Sequence, residues 1–109
     1  MILENITTDW GFTIQYVVSG NAGVLNLFGT ANKNITTEIG GGGDIVITTI
    51  SNLPAGKGLT NRGALVDVSS GTNFGSLRLY EDGRVVMNWN DLAQIAGHYI
   101  EGSVPFIIS

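Results

Sequence analysis

The stretch SLRLYEDGRVVMNW, Ser76 to Trp89, holds an Asp82-Gly83 turn signal between two short runs of β-forming residues. Two loop lengths compete for it. A two-residue turn at Asp82-Gly83 pairs Leu77 with Asn88 and Arg78 with Met87, which mixes polar and apolar side chains on each face. A three-residue loop, Glu81-Asp82-Gly83, with Gly83 at the left-handed bulge position, pairs Leu79 with Val85 and Leu77 with Met87 instead. That register gathers Leu77, Leu79, Val85, Met87 and Trp89 on one face, so it is the one the pattern predicts. The opposite face carries Arg78, Tyr80, Arg84, Val86 and Asn88. It is too apolar at its centre for open water, and a neighbouring subunit is expected to cover it.

The same strand-and-turn chemistry extends in both directions. Phe12, Ile14, Tyr16 and Val18 alternate with period 2, and Val24 to Thr30 sets Leu25 and Leu27 on one face against Val24, Asn26 and Phe28 on the other. A short strand over Ile35 to Ile39 is expected, then one over Ile45 to Ile50 with apolar residues on both faces, as in a strand buried on two sides. Ala64 to Val68, Tyr99-Ile100 and Val104 to Ile108 complete the set. Between them lie Ser19 to Gly23, Asn32 to Asn34, Gly40 to Gly43, Leu53-Pro54-Ala55-Gly56, the polar Lys57 to Arg62 and Gly71 to Gly75, with a loop or single helical turn at Asn90 to Ala96. Residues 1–9 carry no clear pattern and read as a lead-in or linker before a domain spanning 10–109. The expected fold is all-β, a compact antiparallel barrel or sandwich.

Composition agrees. Sixteen glycines against two prolines suit many strands joined by tight turns, and 43% hydrophobic with 13% charged residues excludes disorder. Net charge is −4, and the five basic residues, Lys33, Lys57, Arg62, Arg78 and Arg84, form no cluster, so nucleic acid is not an expected partner. No apolar run exceeds three residues, which argues against membrane insertion by a helix, and the first residues lack the basic and apolar regions of a signal peptide. With no cysteine and His98 the sole histidine, no disulfide framework, structural zinc site or cofactor is expected.

Catalytic signatures are equally sparse. Gly56-Lys57-Gly58 fails the phosphate-loop pattern at both ends, no Gly-x-Ser-x-Gly elbow occurs, and the nine acidic residues are scattered over turns. The sequons at Asn5 and Asn34 read as chance matches in an Asn- and Thr-rich chain. A non-enzymatic domain is the expectation.

The order of the pieces resembles the C-terminal head domain of bacteriophage tail-fibre and baseplate receptor-binding proteins, lactococcal-phage heads in particular. The resemblance is carried by Gly11-Phe12-Thr13-Ile14-Gln15-Tyr16, the Val24 to Gly29 strand, Asn52-Leu53-Pro54-Ala55-Gly56, the Leu77 to Val86 hairpin, and Tyr99-Ile100-Glu101-Gly102 followed by Val104-Pro105-Phe106. It spans Trp10 to Ser109; the Gly40 to Gly43 insertion and Lys57-Gly58-Leu59 depart from the family. It implies a β-barrel head that forms a homotrimer, sits outside the cell at the tail tip or baseplate of the virion among other tail proteins, and attaches to host cell-wall saccharide. The alternative is a structural domain that trimerises or docks a neighbour without binding glycan. For a saccharide site the residues of interest are Trp89, Asn90, Asp91, His98 and Glu101, an indole face for the C–H side of a sugar and polar groups for its hydroxyls. Trp89 equally continues the Leu77 and Met87 face into the core, and His98 equally reads as a structural or simply exposed residue.

Overall fold

Alternating side chains build eight antiparallel strands in the computed structural model, which describes residues 2–36, 44–51, 61–70, 74–89 and 94–107. They are β1 (Ile2–Thr7), β2 (Thr13–Ser19), β3 (Ala22–Thr30), β4 (Ile45–Thr49), β5 (Asn61–Asp67), β6 (Phe74–Leu79), β7 (Arg84–Trp89) and β8 (Tyr99–Ile107). All belong to one sheet, ordered β1-β2-β3-β8-β5-β6-β7-β4. Strand β8 joins two meanders. It pairs with β3 from Ala22↔Ile107 to Thr30↔Tyr99 and, on its other side, with β5 from Leu65↔Gly102 to Asp67↔Ile100.

No helix among the described residues covers the apolar face, so the sheet buries it by curling into a half-barrel. Ile14, Leu25, Leu27, Leu65, Leu77, Leu79, Val85, Met87, Ile100 and Val104 from β2, β3, β5, β6, β7 and β8 fill one core. The all-β antiparallel architecture expected from sequence is the one observed. Where two C-terminal strands are expected, β8 runs unbroken through Gly102. A Cβ at Gly102 would stand 2.6 Å from Leu65 Cδ2, so glycine lets the strand pass over the core rather than ending it. Pro105 lies opposite Val24, past the last β5 pair at Gly102, where the outer side of β8 has no ladder to β5 to interrupt.

The hairpin has the register read from its sequence, with Leu77 opposite Met87 and Leu79 opposite Val85. Gly83 has φ of 91° and donates its N–H to Tyr80 O, while Tyr80 N donates to Arg84 O, which is the bulged three-residue loop. Asp82 locks the loop by accepting from Arg84 N and Nε. The outward face differs from expectation. Val86 is only 1% exposed in the single chain. It sits between Val46 and Arg78 in register, and the largely buried Arg78 side chain ion-pairs with Asp44, which also accepts from Asn88 at 2.9 Å. The arginine stem beside it needs no second subunit to exclude water.

Four other expectations change. Residues Ile2–Thr7, read as lead-in, form β1 and pair with β2 from Ile2↔Val18 to Thr7↔Thr13; Ile6 packs against the core although the segment lacks clean alternation. Strand β4 is buried on one face only, with Val46 on the other face 50% exposed, and β7 is its one neighbour among the described strands. Its register shifts between Val46 and Thr48, and the extra residue at Ile47 brings Ile45 and Ile50 to the same interior despite their odd spacing. Strand β5 starts at Asn61, inside the stretch expected to be a polar connection, and β6 starts at Phe74, inside an expected loop. The expected strand over 35–39 is described only at Ile35 and Thr36, where Ile35 forms an isolated bridge. The loops at 40–43 and 53–56 lie outside the described residues.

Gly83→Ala is expected to destabilise the fold by about 1–3 kcal/mol, because it forces a side chain into left-handed backbone and sets a Cβ 2.1 Å from Ile50 O. Urea unfolding measures it. Asp44 supplies a second expectation: the Asn88 hydrogen bond above all, with the Arg78 charge and hydrogen bond behind it, holds its carboxyl below the ordinary carboxylate range against the opposing effect of burial. A depressed folded-state pKa contributes stability that is complete above the unfolded value and disappears as pH falls through the folded one. Melting temperature should therefore drop less steeply on acidification in Asp44→Asn than in the parent chain, as read by circular dichroism across that range.

Candidate functional site

Strand pairing sets up a row of side chains on the outward face. Thr13, Phe28, Glu101, Val66 and Phe74 stand side by side across β2, β3, β8, β5 and β6. One step along the strands, Asn26 pairs with Ser103, whose Oγ donates to Asn26 Oδ1 at 3.0 Å. The small side chain of Ala64 keeps the centre low, while Phe28, Val66 and Val68 stand around it. The result is an open groove of about 510 Å³ over β3, β8 and β5, with Asn26, Glu101 and Ser103 as its polar side chains. Its apolar character continues beyond the lining: Val66 is 45% exposed, Val68 53% and the neighbouring Phe74 59%.

At the start of β8 a second polar arrangement adjoins it. Asp67, the last residue of β5, points inward and is fully buried, with its Oδ2 2.7 Å from His98 Nδ1 and its Oδ1 accepting from Ser70 N. A carboxylate removed from water requires such partners. The pair orients the imidazole through Nδ1. Two hydrogen bonds tie this corner to the groove: Val68 N donates to Tyr99 O, and Tyr99 N to the Ser69 hydroxyl. No group of three or more His, Cys, Asp or Glu residues suited to a metal ion occurs among the described residues.

The sequence-selected site residues fall into three places. Glu101 lies in the groove, exposed, between Phe28 and Val66. His98 is held by Asp67 and keeps its side chain 34% exposed. Trp89 does not stand at a loop rim: it is 3% exposed, packed in the core, with Nε1–H directed at Met87 Sδ 3.2 Å away. In the observed register it follows Met87 on the buried face opposite Gly75, and no ring face is left for a sugar. Asn90 and Asp91 lie outside the described residues.

Sequence reading did not select Phe28, Asn26, Val66, Ser103 or Asp67 for the site. Two signals were present. Phe28 shares its strand face with Asn26, opposite the core-forming Leu25 and Leu27, so a large aromatic stood on the polar side. Asp67 has the same parity as Leu65, which placed an acid among inward residues and called for a buried partner. The alignment of Phe28, Glu101 and Val66 had no local signal, because it depends on which strands become neighbours. Comparison with models of known protein families, with characterised proteins and with solved structures returns no match.

Because Trp89 is a core residue, Trp89→Ala is expected to lower stability by about 3–5 kcal/mol, with cooperative unfolding at lower denaturant. A variant that melted like the parent chain would return the indole to the surface.

Proposed function

We propose that this chain is a non-enzymatic receptor-binding head of a bacteriophage tail fibre or baseplate, which attaches to host cell-surface saccharide through the outward groove over β3, β8 and β5. The observation that carries the reading is the groove itself: apolar walls from Phe28, Val66 and Val68 around the hydrogen-bonding groups of Asn26, Ser103 and Glu101. Sugars ask for that combination, since their C–H faces stack on aromatic and aliphatic surface while each hydroxyl taken from water needs a replacement partner. The site is built on strands, so its geometry is set before ligand arrives, which lowers the ordering cost of binding. His98, oriented by Asp67, supplies a further polar group at the adjoining end of β8. The sequence order that resembles phage receptor-binding heads supplies the biological setting, a trimer at the tail tip.

A second reading, a structural trimerisation or docking domain, draws on Phe74 and Ile107, which are 59% and 58% exposed. It assigns the apolar outward face to a neighbouring subunit.

Binding of the purified chain to cell-wall polysaccharides from a panel of bacteria separates the two. The receptor-binding reading expects at least one polysaccharide to bind and be recovered uncleaved, and Phe28→Ala to weaken that binding about tenfold or more with little change in melting. Absence of binding across the panel, together with a stable trimer by light scattering, would favour the structural reading.

A further inference from the structure

The charge in the groove narrows the class of ligand, and this inference rests on the groove being the saccharide site. Among the residues that line the groove Glu101 is the one acidic or basic side chain. Most basic side chains of the described residues have other engagements: Arg78 pairs with Asp44, Arg84 with Asp82, His98 with Asp67, and Lys33 lies 4.8 Å from the centre of the Trp10 ring; Arg62 shares the outward face of β5 but stands beyond Ala64, away from Val66, the register partner of Glu101. Among the described residues none forms an ion pair or hydrogen bond with the Glu101 carboxylate, which stands between Phe28 and Val66 in register.

A neutral sugar lying over that carboxylate would strip water from a charge and return hydroxyl hydrogen bonds without a countercharge. A phosphate- or carboxylate-bearing polymer would add repulsion from Glu101 and from the chain's net charge of −4. A protonated amine offsets the desolvation with a charge-assisted hydrogen bond, and the adjacent Phe28 ring adds attraction for a cation. The Asn26 and Ser103 pair, one step along the strands, suits the hydroxyls of the same ring.

We infer that the groove selects a saccharide bearing a free, positively charged amino group, an unacetylated hexosamine, with Glu101 as the residue that reads the charge.

The test uses isothermal titration calorimetry on the full chain with three probes: a glucosamine oligomer, the N-acetylglucosamine oligomer of equal length, and a lysine-rich peptide of equal charge. Acetylation removes the charge and keeps the ring. The expected result is about tenfold or greater preference for the glucosamine oligomer over its acetylated form. Glu101→Gln, which keeps shape and folding, should abolish that preference at unchanged melting temperature. Equal affinity for the two oligomers would overturn the charge inference while leaving a saccharide site standing, as would a preference that survives Glu101→Gln. Binding of neither oligomer would overturn it too, and the cell-wall panel would then decide separately whether the chain binds saccharide. Tighter, Glu101-dependent binding of the peptide would replace the amino sugar with a basic protein segment.

Discussion

The pairing of β8 with β3 on one side and β5 on the other is the constraint on which the rest depends. Without it the described strands fall into two meanders, each with one apolar face and too few strands to enclose a core. With it the sheet is continuous and curls until residues from both halves meet: Leu25 and Leu27 of β3 share an interior with Leu65 and Leu77 of β5 and β6. Close approach makes the junction possible. A Cβ at Gly63 would lie 1.7 Å from Ser103 O, so β5 could not come this near β8 with any other residue there, and Gly23 lies under the Phe106 ring in the same way.

The same junction creates the outward surface. Strand neighbours share a row, so setting β8 between β3 and β5 sets Glu101 between Phe28 and Val66 whether or not any ligand exists. The two faces of the sheet thus have different logics. The inner one is filled by the chain's own apolar side chains, whereas the outer one presents apolar surface around an ionised carboxylate. At the far end of the sheet the chain solves the comparable problem itself, covering Val86 with Arg78 held by Asp44, which also accepts a hydrogen bond from Asn88. Over β3, β8 and β5 the described residues provide no such cover.

Much of the fold was legible because its signals are local. The bulged loop at Gly83 and the buried faces of β2, β3 and β7 follow from period-2 alternation and turn chemistry within a few residues. What was missed depends on sequence-distant neighbours. Strand β1 has no clean alternation and is recognisable only beside β2. Strand β4 seemed two-sided because the Ile47 bulge shifts its parity, and β8 seemed interrupted because Gly102 looks like a breaker until Leu65 is placed against it. For the site, Glu101 and His98 were selected by residue type, and Trp89 was drawn to a rim by its place at a strand end although its parity assigned it to the core. The groove partners come from three strands far apart in sequence.

The position of β8 also governs how the chain folds. The β6–β7 hairpin closes a short loop and needs no distant partner, so it can form in microseconds, as can the β1–β2–β3 meander. Joining them requires Tyr99–Ile107 to find Ala22–Thr30 across most of the chain, a high-contact-order step that comes after the local ones and slows the whole. During synthesis both halves leave the ribosome before their common neighbour does, each with an unpaired strand edge and an uncovered apolar face. In that interval the chain is most open to pairing with another copy of itself, and the arrival of one strand ends it.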